Sequence, residues 1–241
     1  MIIGTVAAVL VVFLSALAFS IFYDAPSCMD RTQNQGEEGT DCGGPCSKLC
    51  AALLDAPRVS FARALITTNG RTDVIAYVEN RNQASEAKNA RYVMELFSAD
   101  GLLLAKKEGT IDLPARSTVP VFLPGVYMGP VPVSRAFVTF EEEITWTRAR
   151  EGRTVPKVSD AVFLQGTEPR VTATLQNPTP VALYNVKVIA TAFDADGSAL
   201  AASQTVVREI PAQGTVQAVF TWTAPFGDPL RIEVIPLIPL P

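Results

Sequence analysis

The sequence repeats itself at an offset of 96 or 97 residues, and this repeat constrains the fold more than any other feature. Three blocks recur in the same order: VIAYVENRN from Val74 matches VTATLQNPT from Val171, NARYVMELFSADG from Asn89 matches NVKVIATAFDADG from Asn185, and DLPARSTV from Asp112 matches EIPAQGTV from Glu209. Blocks that recur in one order indicate two copies of one structural unit. We therefore expect two modules, at 58–147 and 158–241, joined by a polar linker at 148–157.

Each copy alternates apolar and polar residues with the period of a β-strand. Tyr92, Met94 and Leu96 fall on one face of a predicted strand, and Arg91 and Glu95 fall on the other. An Asp-Gly pair follows this run in both copies, and glycine accepts the positive φ that a tight turn requires. These signals predict an all-β fold of two tandem immunoglobulin-like antiparallel β-sandwiches, each with roughly seven strands.

The modules resemble the FxLYD domains of bacterial envelope proteins. The likeness rests on an Asn after one strand, a second strand that ends in Phe-x-x-Asp-Gly, and a hydrophobic-Pro-Ala turn. Leu183 and Tyr184 in ALYNVKV carry it best, and the first copy reads EAKNARY at that place. The resemblance is therefore stronger for 158–237 than for 58–142, and it implies an immunoglobulin-like fold.

The N-terminal run from Met1 to Tyr23 carries no charged side chain. As a helix with a rise of about 1.5 Å per residue, it is long enough to cross the hydrocarbon core of a bilayer. A cleaved signal peptide is the alternative, but the basic n-region is missing and the apolar run is long for a signal peptide. The expectation is one transmembrane helix at 1–23 that anchors a single-pass membrane protein, with the C-terminal bulk extracytoplasmic.

All four cysteines lie in the segment 24–57, termed the collar, at Cys28, Cys42, Cys46 and Cys50. An even number of cysteines in an exported segment too short for its own core predicts two disulfides, in one of three possible pairings. A zinc site is the rival interpretation, but the spacing lacks the paired C-x-x-C knuckles of structural zinc. The same absence of C-x-x-C argues against a redox centre.

The collar also carries oxygen donors between its first two cysteines. Asp30, Asn34, Glu37 and Asp41 are interleaved with glycines that permit tight turns, and calcium prefers oxygen ligands of this kind. A calcium site is one interpretation of this pattern, and a solvated acidic loop is the other.

The pattern C-x-D-x-x-x-N-x-x-E-x-G-x-D-C-G-G-x-C, from Cys28 to Cys46, is similar to a short motif of exported bacterial surface proteins. In those proteins the motif commonly follows a membrane anchor, as it does here. Arg31 stands at a position that the motif usually fills with Gly. The resemblance implies an exported collar.

Composition argues against several functions. The chain has no histidine, which removes the commonest general base and metal ligand. A net charge of -4 without a basic stripe argues against a nucleic-acid partner. The sequence contains no nucleophile elbow, phosphate-binding loop or dinucleotide fingerprint, so we expect no enzyme activity. The arginines of the linker stretch RAREGRTVPK are interpreted as solvated charges rather than as an anion site.

The two copies differ on one outer strand face. Ile75 and Tyr77 in the first module stand where Thr172 and Thr174 stand in the second. An apolar outer face of this kind marks a contact. Tyr77 is therefore expected to meet a protein partner or to pack on the second module.

The first module also contains LPGVYMGPVPV, predicted as a proline-stiffened loop that presents Val126, Tyr127 and Met128. Rigid apolar loops lose little entropy on binding. Tyr127 and Met128 are candidates for contact with a protein partner, and the alternative is that the loop folds over the end of its own sandwich.

These features predict a membrane-anchored, extracytoplasmic binding or scaffold protein of the bacterial envelope. Its modules are expected to form a rod whose sheet faces are free for a protein partner. One alternative is a permanent structural subunit of a larger envelope or secretion assembly. Another is a calcium-dependent carbohydrate-binding accessory protein, for which Trp146 and Trp222 are the available tryptophan platforms.

Overall fold

The structure is a computed structural model, and it describes residues 10–15, 17–20, 27–67, 70–141, 143–150 and 152–241. The chain forms two compact units, Met1–Cys50 and Ala51–Pro241. We refer to them as the N-terminal unit and the β unit. The boundary after Cys50 lies inside the segment predicted as the collar.

The N-terminal unit contains helical residues at 10–15 and 17–20. In the part of the chain that the structure describes, no helix combines the length and the apolar character needed to span a bilayer. The rest of the predicted anchor lies outside the described residues, at 1–9, 16 and 21–23.

The β unit begins with a short 3-10 helix, Ala51–Leu53, and all strand pairs among its described residues are antiparallel. The first module comprises seven strands: β1 (Arg58–Ile66), β2 (Thr72–Asn80), β3 (Ser85–Phe97), β4 (Leu103–Leu113), β5 (Ser117–Tyr127), β6 (Arg135–Phe140) and β7 (Trp146–Arg148). β2 lies between β1 and β5 in one sheet, and β3 lies between β4 and β6 in the other. β7 pairs with the first residues of β3, and β6 pairs with its later residues. Both strands lie on the side of β3 opposite to β4.

The second module repeats this connectivity with six described strands: β8 (Lys157–Leu164), β9 (Arg170–Gln176), β10 (Leu183–Phe193), β11 (Ala199–Ile210), β12 (Thr215–Thr221) and β13 (Arg231–Leu237). β9 lies between β8 and β12, and β10 lies between β11 and β13. The predicted all-β fold of two antiparallel sandwiches is confirmed.

The alternation of side chains decides what each sandwich buries. Tyr92, Met94 and Leu96 of β3 are buried, whereas Arg91 is exposed and Glu95 is half-buried. The second module buries its own cluster between its two sheets: Val171, Leu175, Val186, Val188, Ala190, Val207, Ile210, Ala218 and Phe220. Each large apolar side chain in such a core contributes about 1.5–3 kcal/mol through its burial.

A buried asparagine closes the same corner in both modules. Asn177 follows β9, and its Nδ2 donates to the carbonyls of Ile210 and Pro211 and to a carbonyl in the loop before β10. Its Oδ1 accepts from the main-chain N–H and the hydroxyl of Thr179, at 3.0 and 2.7 Å. Asn80 makes the same three carbonyl contacts in the first module. The repeated asparagine therefore ties the loop after the second strand to the turn after the fourth.

The two modules meet face to face within the β unit. The outer face of the β1-β2-β5 sheet packs on the outer face of the β11-β10-β13 sheet. One buried cluster forms between them, from Leu65, Ile75, Tyr77, Phe122, Ile189, Phe193, Ala199 and Ala202. β2 is consequently buried on both faces along nearly its whole length.

Three aromatic rings form the centre of this interface. Tyr77 stacks on Phe61 with ring centroids 4.9 Å apart. Phe193 of the second module meets both rings edge-on, at 5.9 Å from Tyr77 and 6.1 Å from Phe61. The guanidinium of Arg231 lies 4.2 Å from the centroid of Phe193. Edge-to-face pairs stabilise a contact by about 0.5–1.5 kcal/mol beyond the area that they bury.

This packing corrects two expectations. The sheet faces that meet are buried against each other, so they are not free for a partner as a rod would leave them. Arg153, expected as a solvated linker charge, is half-buried and donates to the carbonyl of Ile238.

The segment LPGVYMGPVPV is also different from the predicted loop. β5 continues to Tyr127, and Val126 is buried. The irregular part is confined to the residues between β5 and β6, 128–134.

The hydrogen bonds of the buried Asn177 predict a specific loss of stability when this residue is replaced. Asn177→Ala removes the donor to the buried carbonyl of Ile210 and to two partly buried carbonyls, so we expect the free energy of unfolding of the β unit to fall by about 2 kcal/mol. Urea unfolding of the full chain, followed by tryptophan fluorescence, measures this change. Gln176→Ala, at the exposed neighbouring position, is the matched control and should change stability by less than about 0.5 kcal/mol. Equal effects of the two substitutions would show that the hydrogen bonds of Asn177 do not stabilise the β unit in this way.

Candidate functional site

Two overlapping disulfides hold the collar. Cys28 bonds to Cys46 and Cys42 bonds to Cys50, with Cα atoms 5.7 and 5.0 Å apart. The predicted use of all four cysteines is confirmed, and the pairing is one of the three that the sequence left open. Gly39 allows the backbone to pass close to the Cys42–Cys50 disulfide, because a Cβ at this position would lie 3.0 Å from both sulfurs.

Asp30 organises the first turn of the collar. Its Oδ2 accepts from the main-chain N–H of Ser27 at 3.0 Å and from Nδ2 of Asn34 at 2.8 Å. Its Oδ1 accepts from the main-chain N–H and the hydroxyl of Thr32, at 2.9 and 2.7 Å. These donors, led by the N–H of Ser27, hold the pKa of the Asp30 carboxyl well below its usual range. The carboxylate therefore stays ionised and fixes the turn around itself.

Glu37 is the buried acid of the collar, with 7% of the residue exposed. Its Oε2 accepts from the main-chain N–H groups of Asn34 and Asp41, both at 3.3 Å. Its Oε1 lies 3.1 Å from Sγ of Cys46, and this contact is no hydrogen bond because a disulfide sulfur carries no proton. The carboxylate of Asp41 accepts in turn from the main-chain N–H of Arg31, at 3.1 Å from each oxygen.

The backbone of Arg31 explains why the similar motif usually has glycine there. Arg31 has φ of 61°, in the left-handed region that glycine adopts without steric cost. Its N–H is the donor to Asp41, so the turn is formed with arginine in place of glycine.

The four predicted calcium ligands lie in one hydrogen-bonded cluster, and their carboxylates accept from main-chain N–H groups. Among the described acidic and cysteine side chains, one trio brings its ligand atoms within 4.8 Å of one another: Cys28, Glu37 and Cys46. Its sulfurs are bonded to each other, so neither is a thiolate ligand. The Oδ1 of Asn34 is buried and has no hydrogen-bond partner in the described part of the chain. Calcium binding stays a prediction.

Tyr77 is not available to a partner. The residue is 6% exposed, and its ring packs on Phe61 and Phe193 in the interface between the modules. Burial raises the pKa of its hydroxyl. Of the two roles considered for Tyr77, packing on the second module is the one that the structure shows.

Tyr127 and Met128 lie where β5 ends, and they differ in exposure. Tyr127 is half-buried, and a Cβ on Gly129 would collide with its ring. Met128 is 73% exposed. Met128 is therefore the accessible member of the predicted pair.

Further exposed apolar side chains gather near the same end of the first module. Leu102 and Leu103 follow the turn after β3, and Phe137 packs edge-on against Phe97 at 5.8 Å while 48% of it stays exposed. Ser134 donates to the carbonyl of Phe97 at 2.8 Å, which places the loop before β6 at this end. We define the apolar end as Leu102, Leu103, Met128, Val131 and Phe137, all of them exposed.

Sequence reasoning singled out Met128 and the segment that contains Val131, and it did not single out Leu102, Leu103 or Phe137. Leu103 and Phe137 occupy ordinary strand positions, and a single sequence does not tell an exposed strand face from a covered one. The proximity of Phe97 and Phe137 depends on the pairing of β3 with β6, which joins residues 40 positions apart.

Comparisons with known proteins leave the family open. No family model matches the chain, and no curated protein matches it. Red sea bream transglutaminase is similar in structure over 76% of this chain, at 14% identity and a TM-score of 0.27. The chain spans 29% of the length of that protein, and a likeness at this TM-score carries no argument about fold or function.

The disulfide pairing predicts a defined peptide map. Digestion of the full chain without reductant should release the pairs Cys28–Cys46 and Cys42–Cys50, because these sulfurs are bonded in the folded collar. Mass spectrometry identifies them. A chain with both Cys42→Ser and Cys50→Ser is the control and should keep the first pair. Linkage of Cys28 to Cys42 in the wild type would refute the arrangement.

Proposed function

We propose that this chain is a membrane-anchored, extracytoplasmic scaffold protein of the bacterial envelope. It binds a protein partner through the apolar end of its first module. Its role is binding and positioning rather than catalysis, in keeping with a chain that has no histidine.

The observation that carries this proposal is the apolar end itself. Exposed apolar side chains gathered at one end of a folded domain are typical of a contact surface. Met128 and Leu102 are 73% and 57% exposed, and water contact with such side chains is unfavourable unless a partner covers them. The ring of Tyr127 beside Gly129 restricts the adjoining loop, so that binding costs little conformational entropy.

The collar supports the extracytoplasmic part of the proposal. All four cysteines are in disulfides, which persist in oxidising compartments. The motif from Cys28 to Cys46 resembles that of exported bacterial surface proteins, and the uncharged run from Met1 to Tyr23 precedes it. These features favour an anchor with the β unit on the exported side.

Site-specific photo-crosslinking tests the proposed contact surface. A photoreactive phenylalanine analogue at Met128 or at Leu102 should form a discrete protein adduct in intact cells, because both positions belong to the apolar end. Leu230, 76% exposed on the second module, is the matched control and should form none. Equal crosslinking from all three positions, or none from Met128 and Leu102, would contradict the surface.

The same adduct tests the location. Protease added to intact spheroplasts should digest the adduct, since the β unit is exported in this proposal. Full protection of the adduct would place the β unit inside the cell and would overturn the extracytoplasmic assignment while leaving the contact surface standing.

A further inference from the structure

A cleft of about 490 Å³ opens between the two modules, beside their shared aromatic cluster. β4 and β5 line it from the first module, and β10, β13 and the residues after β13 line it from the second. Sites that hold small molecules commonly enclose about 300–1,000 Å³, so the cleft has the capacity for a ligand.

Apolar side chains from both modules line most of the cleft. They include Ile111 and Phe122 from the first module and Ile235, Leu237 and Ile238 from the second. A lining of this kind favours a ligand with an apolar body, because both surfaces leave water on binding.

Lys187 of β10 brings a cation into this apolar lining. The side chain is half-buried, and no hydrogen-bond or ion-pair partner reaches its ammonium from the described residues. Burial lowers the pKa of the Lys187 ammonium, because the charged form loses contact with water. Its counterpart in the first module, Arg91, is exposed and pairs with Glu141 at 3.8 Å. The cleft therefore holds a partly desolvated cation that an anion would stabilise.

Tyr92 of β3 adds a hydroxyl donor to the same cleft. Its ring is buried, and burial raises the pKa of the hydroxyl, so the group keeps its proton. The hydroxyl lies beside Gly109, where a Cβ would collide with it, and it has no hydrogen-bond partner in the described part of the chain. An oxygen ligand in the cleft would accept a hydrogen bond from this hydroxyl.

Asp112 and Arg153 are the other charged side chains that line the cleft. Asp112 accepts from the main-chain N–H groups of Asn89 and Leu240, at 2.8 and 2.7 Å. Arg153 donates to the carbonyl of Ile238, and burial lowers the pKa of its guanidinium although the charges of Glu86 and Asp112 act against this shift. Asp112 offsets one of the two cations that line the cleft, Lys187 and Arg153, so the complementary ligand carries one negative charge.

We propose that the cleft between the modules binds an apolar monocarboxylate, with its carboxylate on Lys187 and the hydroxyl of Tyr92 and its acyl chain along β13. This small-molecule site is separate from the protein contact at the apolar end and does not depend on it. A charge-assisted bond to Lys187 would give the site its preference for an acid over a neutral ester.

Photoaffinity labelling of the full chain in lipid nanodiscs tests this site. The probes are a diazirine-bearing dodecanoate and its methyl ester, and the readout is labelling of the peptide that contains Ile235–Ile238. The acid should label this peptide saturably and at a lower concentration than the ester. Lys187→Met should raise the half-saturating concentration of the acid about tenfold or more and leave that of the ester unchanged. The preference for the acid then disappears.

Lys157→Met is the matched control, because Lys157 is exposed on β8 and does not line the cleft. It should leave both probes unaffected. Tyr92→Phe keeps the buried ring and should weaken the acid several-fold, so it tests the site independently if Lys187→Met fails to fold. Non-saturable labelling, equal labelling by acid and ester in the wild type, or an unchanged acid response in both variants would overturn the proposal.

Discussion

The contact between Tyr77 and Phe193 joins the two modules of the β unit. Both rings are almost fully buried, and their partners lie on sheets of different modules. Because Tyr77 belongs to β2, the strand is covered by its own sandwich on one face and by β10 on the other. Two copies of one sandwich thus become a single packed body, and the cleft with Lys187 exists because the modules meet in this way.

The repeat uses the same strand face in two ways. In the first module this face carries Ile75 and Tyr77 and is buried against the second module. In the second module Thr172 and Thr174 take those places and are half-buried. A threonine face tolerates water where an isoleucine and tyrosine face does not. The second module therefore lacks, on this strand, the apolar side chains through which the first module packs on its neighbour.

The sequence alone predicted the features that depend on neighbouring residues and on residue counts. Side-chain alternation identified the strands and the buried set of β3, and the number of cysteines predicted two disulfides. The sequence did not predict which cysteines pair, because the bond between Cys28 and Cys46 depends on how the turns around Asp30 and Glu37 fold. The burial of Arg153 was missed for a similar reason: a linker composition is polar whether or not a neighbouring module covers it. The sequence marked Tyr77 as a contact residue, and only the packing of the sheets shows which surface it meets.

Native-state hydrogen exchange of the full chain with Phe193→Ala tests most directly whether the shared aromatic contact makes the modules one cooperative unit. Truncation of a buried phenylalanine costs about 3–5 kcal/mol. We predict that amides of β2 in the first module lose protection together with those of β10, since both strands are held by the same cluster. Unchanged protection of β2 alongside a loss in β10 would show that the modules are independent and would contradict this account.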